Sequence, residues 1–213
     1  MGLYAVKPAF RRILEGLIPF LRPVHPDVLT WGALGCSVVS AALFSFAATH
    51  RGLFLVIPFL LFLRIVLNAL DGLLAQATGK ARPAGEVLNE ATDRLSDAAL
   101  LLGVAYSPLS SPAWGLPAVA AVLFSSYVGV LGKVVGVGRQ YGGILDKADR
   151  MLWLGAACVA AFFLGDVTLC RLPGGWVVGL FDGLLGLFAL LGAATALQRV
   201  LRIRALLSGR VNR

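Results

Sequence analysis

Four oxygen-bearing side chains sit at helical spacing inside an apolar stretch. Asn68 and Asp71 are three residues apart, and Asn89 and Asp93 are four apart. Residues at those offsets share one face of a helix. Ionisable groups within membrane-crossing segments are costly, so they mark a place where function outweighs the cost. The two pairs predict one polar site shared by two apolar helices.

The composition says what must hold such a site. The chain has 213 residues, 58% hydrophobic and only 14% charged, with a mean hydropathy of +0.84. A soluble domain carries about 25% charged residues. The expected fold is a single all-α integral membrane domain spanning 1–213, with a polar active-site cavity open to the cytoplasm. Residues 3–22 read as an amphipathic juxtamembrane helix, with Leu3, Phe10, Leu14, Leu17 and Leu21 on one side and Lys7, Arg11, Arg12 and Glu15 on the other. Such a helix lies among lipid headgroups. Residues 28–198 read as a six-helix bundle with spans at 28–48, 52–76, 86–107, 113–133, 148–168 and 173–198, followed by a basic cytoplasmic tail at 199–213. Each span is long enough to cross about 30 Å of hydrocarbon at about 1.5 Å per residue.

Lysine and arginine set the orientation. One side collects Lys7, Arg11, Arg12, Arg22, Lys80, Arg82, Lys133, Arg139, Lys147, Arg150 and the C-terminal cations; the other holds Arg51 and Arg171. Positive residues favour the cytoplasmic side, so both termini and the 77–85 loop are expected there. The net charge of +8 does not imply nucleic acid, because no aromatic-studded basic stretch accompanies it. Cys36, Cys158 and Cys170 lack metal-ligand spacing and read as packing residues.

The segment from Asn68 to Asp93 resembles the signature of the CDP-alcohol phosphotransferase family, the class I CDP-alcohol phosphatidyltransferases. That pattern is Asp-x2-Asp-Gly-x2-Ala-Arg-x8-Gly-x3-Asp-x3-Asp. Every spacing holds, and Asp71, Gly72, Ala75, Gly85 and Asp93 match. Asn68 and Asn89 replace acids, and Gln76 replaces the arginine. The sequence resembles a bacterial branch with Asn at two of the four acids, which implies the bacterial cytoplasmic (inner) membrane. Pro26-Asp-Val-Leu-Thr30 resembles the family's Pro-Asn-x-x-Thr start; alternatively Pro26 ends one element and Asp27 caps the next helix.

The resemblance implies a reaction in which a small alcohol displaces CMP from CDP-diacylglycerol, with Mg²⁺ or Mn²⁺ as cofactor. Asn68, Asp71, Asn89 and Asp93 would surround the metal, and Asp93 would take the proton from the acceptor hydroxyl. Gly72, Ala75, Gln76, Gly85 and Thr30 would contact the CDP donor. The amides remove two negative charges from that site. With Asn89 at zero on a wheel of about 100° per residue, Asp93 falls near 40°, Glu86 near 60°, Asp97 near 80° and Glu90 near 100°. Glu90 or Glu86 therefore either restores charge at the metal or is simply an acid favoured by a helix N-terminus.

Arg64 lies one turn deeper than Asn68, and Asp97 one turn deeper than Asp93. If their helices are antiparallel neighbours, the two come level and pair. Lys80 or Arg82 could meet the donor anion in place of the missing arginine. Lys133, Arg139, Lys147 and Arg150 either bind a phosphate on the acceptor or anchor the cytoplasmic face. Gly179 and Gly183 form a Gly-x3-Gly pair, usable in a homodimer or within the chain. Asp182 has no partner nearby in sequence. Two other functions compete: a non-catalytic homologue that binds a CDP-lipid or regulates lipid synthesis, and a small transporter. The second predicts internal repeats, and no second acid-rich pair of spans exists.

Overall fold

The structure is a computed structural model and describes residues 7–140, 142–165, 167–171 and 177–211. These form α1 (Lys7–Leu21), α2 (Pro26–Ala47), α3 (Leu53–Ala77), α4 (Pro83–Ala105), α5 (Pro112–Val134), α6 (Lys147–Leu164), an antiparallel hairpin of β1 (Thr168–Arg171) and β2 (Val177–Gly179), and α7 (Leu180–Val211). Proline opens α2, α4 and α5. Its fixed φ suits a first turn, whose N–H groups have no partner within the helix. A capping box of Asp146 and Asp149 opens α6, and Gly165, at φ 76°, closes it. Helices α2, α3, α5 and α7 are long and apolar enough to cross a membrane. The acids gather on α4, and Lys147, Asp149 and Arg150 occupy the start of α6.

The helices pack in a closed ring, in the order α2, α4, α5, α7, α6, α3 and back to α2. Thus α3 and α4, successive in sequence, are not neighbours in the ring; α2 sits between them. The main apolar core includes Phe44, Ile57, Leu100, Val122, Leu154 and Phe188. A second cluster seats α1 on α3 through Leu14, Ile18, Leu70 and Leu74. Ile18 rather than Leu17 is the buried residue of that turn. Leu3, part of the expected amphipathic face, lies outside the described residues.

Two expected spans end differently. The fifth stops at Leu164 instead of 168. The sixth was expected to begin at 173, but 177–179 form a strand and the helix begins at Leu180. Valine is as apolar in a strand as in a helix, so hydropathy does not separate them. Helix α7 also continues through the expected tail, and Arg199 is buried there, donating to the carbonyls of Ser125 (2.6 Å) and Gly142 (3.0 Å). Gly179 is in β2 and Gly183 in α7, so the pair is not a helical stripe. A Cβ on Gly183 would lie 2.4 Å from Cδ1 of the half-exposed Leu169, a side-chain end that can swing aside. Asp182 accepts Ser110 Oγ (2.6 Å) and the Gly179 N–H (2.9 Å).

Helix α2 meets α4 at a close approach. A Cβ on Gly103 would lie 2.6 Å from Ala41 Cα, which is backbone and cannot swing aside. Gly103→Val is expected to cost about 1–3 kcal/mol, read as a lowered thermal midpoint in detergent. An unchanged midpoint would contradict this packing.

Candidate active site

The polar interior is built in two layers. In the deeper one, Arg64 of α3 donates from Nη2 to Asp97 Oδ1 (2.8 Å), and Arg150 of α6 donates from Nη2 to Asp97 Oδ2 (2.5 Å). The side chains are 0%, 4% and 1% exposed for Arg64, Arg150 and Asp97. Arg64 Nη1 also donates to Met151 Sδ at 2.8 Å. The expected Arg64–Asp97 pair therefore forms, although across the interior rather than between packed neighbours. Arg150 was expected either at an acceptor phosphate or as an anchor of the cytoplasmic face. It is instead held by Asp97, because its place in the first turns of α6 turns it into the ring.

One turn nearer the polar end lie the motif residues. Asn68 Nδ2 donates to Asp93 Oδ1 at 3.2 Å, joining α3 to α4. The Lys147 ammonium, at the start of α6, contacts the same oxygen. Asp71 Oδ2 accepts the Thr30 hydroxyl at 2.8 Å, so Thr30 touches the cluster directly. Asn89 Oδ1 is buried and has no hydrogen-bond partner. Gly72 is exposed, with nothing within 4 Å of where a Cβ would be; Gln76 is exposed, and Ala75 and Gly85 are partly so.

An outer layer of ion pairs surrounds these groups. Glu90 contacts Arg139 and lies 3.7 Å from Arg94 Nη2, which is also 3.7 Å from Asp93 Oδ2. Glu90, expected either to restore charge at the metal or to be an acid favoured by a helix N-terminus, is engaged by two guanidiniums. Glu86 accepts Lys133 at 2.5 Å, and Arg82 donates to Asp27 at 2.5 Å. His25, not Asp27, caps α2: its Nδ1 accepts the Asp27 N–H at 3.3 Å. Sequence reasoning missed Arg94, although its i+4 relation to Glu90 was visible. It also missed the inward turn of Arg199, which a charge count cannot show.

Two carboxylates and two amides offer hard oxygen donors of the kind Mg²⁺ and Mn²⁺ take. Among the described residues, no group of three or more His, Cys, Asp or Glu converges as a metal cluster. Any cation here would rely on amide and ligand oxygens beside Asp71 and Asp93. Beside this polar cluster, α1, α3 and α6 enclose an apolar groove of about 1430 Å³, lined by Phe10, Leu14, Phe62, Ile65, Leu152 and Val159 among others. Its lining includes Ala69 and Ala148, next in sequence to Asn68 and Lys147.

No family model matches the chain. It is 34% identical over 157 residues to the inner membrane protein YnbA of Escherichia coli (strain K12), covering 73% of this chain and 78% of that protein. It is 32% identical over 188 residues to the phosphatidylinositol phosphate synthase of Cutibacterium acnes, covering 85% and 86%. Crystal structures of Mycobacterium tuberculosis phosphatidylinositol phosphate synthase share the fold. The one with CDP-DAG bound and the one with manganese and citrate each give a TM-score of 0.66 at 22% identity, covering 91% of this chain and 92% and 88% of those chains. With the motif spacing, the paired helices and these relatives in agreement, the chain belongs to the CDP-alcohol phosphatidyltransferase family of membrane enzymes.

Proposed function

We propose that this chain transfers the phosphatidyl group of CDP-diacylglycerol to a small polar alcohol, releasing CMP, at a divalent-metal site in a bacterial inner membrane. The observation that carries the reading is the meeting of α3 and α4 through Asn68 and Asp93, with Asp71 three residues after Asn68 on α3 and Asn89 four residues before Asp93 on α4. In this reading Asp71, Asp93 and the Asn89 and Asn68 carbonyls hold Mg²⁺ or Mn²⁺. The buried, unpartnered Asn89 oxygen supports that fit. The metal would neutralise charge on the phosphoryl oxygens.

Asp93 takes the proton from the acceptor hydroxyl as that oxygen attacks the lipid phosphate. The phosphorus–oxygen bond to CMP breaks, and CMP leaves with the electron pair. Gly72, Ala75, Gly85, Gln76 and Thr30 line the donor side, where the open space beside Gly72 leaves room for a nucleotide. The acyl chains occupy the apolar groove of α1, α3 and α6. Lys133 and Arg139, at the rim, favour a phosphorylated acceptor, and the relative from C. acnes suggests an inositol phosphate. Helices α2 to α7 then make six crossings with both termini cytoplasmic, as the lysine and arginine distribution supports.

The test is CMP release from CDP-diacylglycerol by the purified chain in detergent, with Mg²⁺ or Mn²⁺ and a panel of inositol phosphate, glycerol phosphate, serine and inositol. Metal-dependent release, fastest with inositol phosphate, is the expected result. Binding of the CDP-lipid without release for any acceptor would replace this reading by the non-catalytic one.

A further inference from the structure

The motif cluster has a closed end and an open end. At the closed end, one oxygen of Asp93 is met by two nitrogen groups, the Asn68 amide and the Lys147 ammonium. An aspartate at position 68 could not donate there. At the open end, Asp71 accepts only a neutral hydroxyl from the side chains around it, and the Asn89 oxygen is buried without a partner. The position of Lys147 also carries a cost. It is the first residue of α6, where the helix dipole disfavours a cation, and Arg64 and Arg150 lie one layer below. The capping box of Asp146 and Asp149 pins that helix end and so fixes the ammonium beside Asp93.

Charge points the same way. Two divalent ions about 3.5–4 Å apart repel four times as strongly as two unit charges at that distance. Beside the donor's diphosphate, the motif itself supplies two carboxylates, Asp71 and Asp93, and Lys147 already balances one. Asp93, whose Oδ1 is met by both the Asn68 amide and the Lys147 ammonium, has little capacity left for a second divalent ion.

Resting on the transferase reading above, we propose that this chain works with a single divalent ion at the Asp71–Asn89 end, and that the Lys147 ammonium takes the place of a second one beside Asp93. Lys147 is then a catalytic residue. It neutralises a phosphoryl oxygen during transfer and holds the Asp93 carboxylate toward the acceptor hydroxyl.

The test counts Mn²⁺ bound to the full chain in detergent with CDP-diacylglycerol, by the electron paramagnetic resonance of the free ion, with CMP release measured on the same sample. One Mn²⁺ per chain is expected. Lys147→Gln should lower kcat by roughly 10²-fold and still bind one ion. The triple variant Asn68→Asp, Asn89→Asp, Lys147→Ala should bind two. Two ions per wild-type chain with full CMP release would overturn this inference and leave the transferase reading standing, as would undiminished kcat in Lys147→Gln. Neither Mn²⁺ binding nor CMP release would overturn both. The wild-type count needs no variant to fold.

Discussion

Asp93→Asn is expected to lower CMP release by about 10³-fold or more. The substitution is nearly isosteric, so packing around residue 93 changes little. Three functions are lost together. An amide does not accept the acceptor proton. One of the two motif carboxylates disappears, and with it half of the anionic charge that they supply to the site. Lys147 also loses the anion it contacts. General-base removal alone is worth about 10²–10⁴-fold, and the loss of the anion that positions Lys147 adds to it. The measurement is kcat and KM for CDP-diacylglycerol at saturating Mn²⁺, with thermal unfolding as the folding control. A folded variant within tenfold of wild-type kcat would remove Asp93 from the base role.

Asp97→Ala is expected to have the largest effect on stability. It deletes the shared anion of Arg64 and Arg150, leaving two guanidiniums in the interior of the bundle with neither carboxylate oxygen. Breaking a buried pair by removing one partner costs about 3–5 kcal/mol, because the surviving charge is uncompensated. Here two charges survive. At about 2–4 °C per kcal/mol for a chain of this size, the midpoint in detergent should fall by roughly 10 °C. Asp97→Glu, which keeps the charge, should recover part of the loss. An unchanged midpoint for the alanine variant would mean that the pairing contributes nothing.

The parts legible in the sequence were those fixed by helical period. Asn68 with Asp71, and Asn89 with Asp93, share faces because their offsets are three and four. The level of Arg64 and Asp97 followed from one further turn on each helix. What escaped depended on the packing order of the helices. Nothing local to residues 64–97 says that α2 stands between α3 and α4. Strand β2 was hidden because Val177 and Val178 are as apolar as a span. Arg150 and Arg199 were counted as surface cations, yet both turn inward. A count of cations gives the side of the membrane and not the direction of a side chain. Glu90 shared the predicted arc with Asp93, but Arg139 and Arg94, from a loop and from its own helix, reach it first.

The buried arginine–aspartate–arginine triad also bears on biosynthesis. The chain is made from its N-terminus, and Asp97 follows Arg64 by 33 residues while Arg150 follows Asp97 by 53. In the six-crossing reading proposed above, a charge entering the bilayer alone costs about 2.5–3.5 kcal/mol. Arg64 and Asp97 can neutralise each other as soon as the second of their two helices arrives, so the nascent chain carries an uncompensated charge only briefly. Arg150 arrives last, at the start of its helix, and comes to a carboxylate already in place. The order of the three charges along the chain is thus an order of assembly, in which the motif helices are tied before α6 brings Lys147 and α7 then closes the ring.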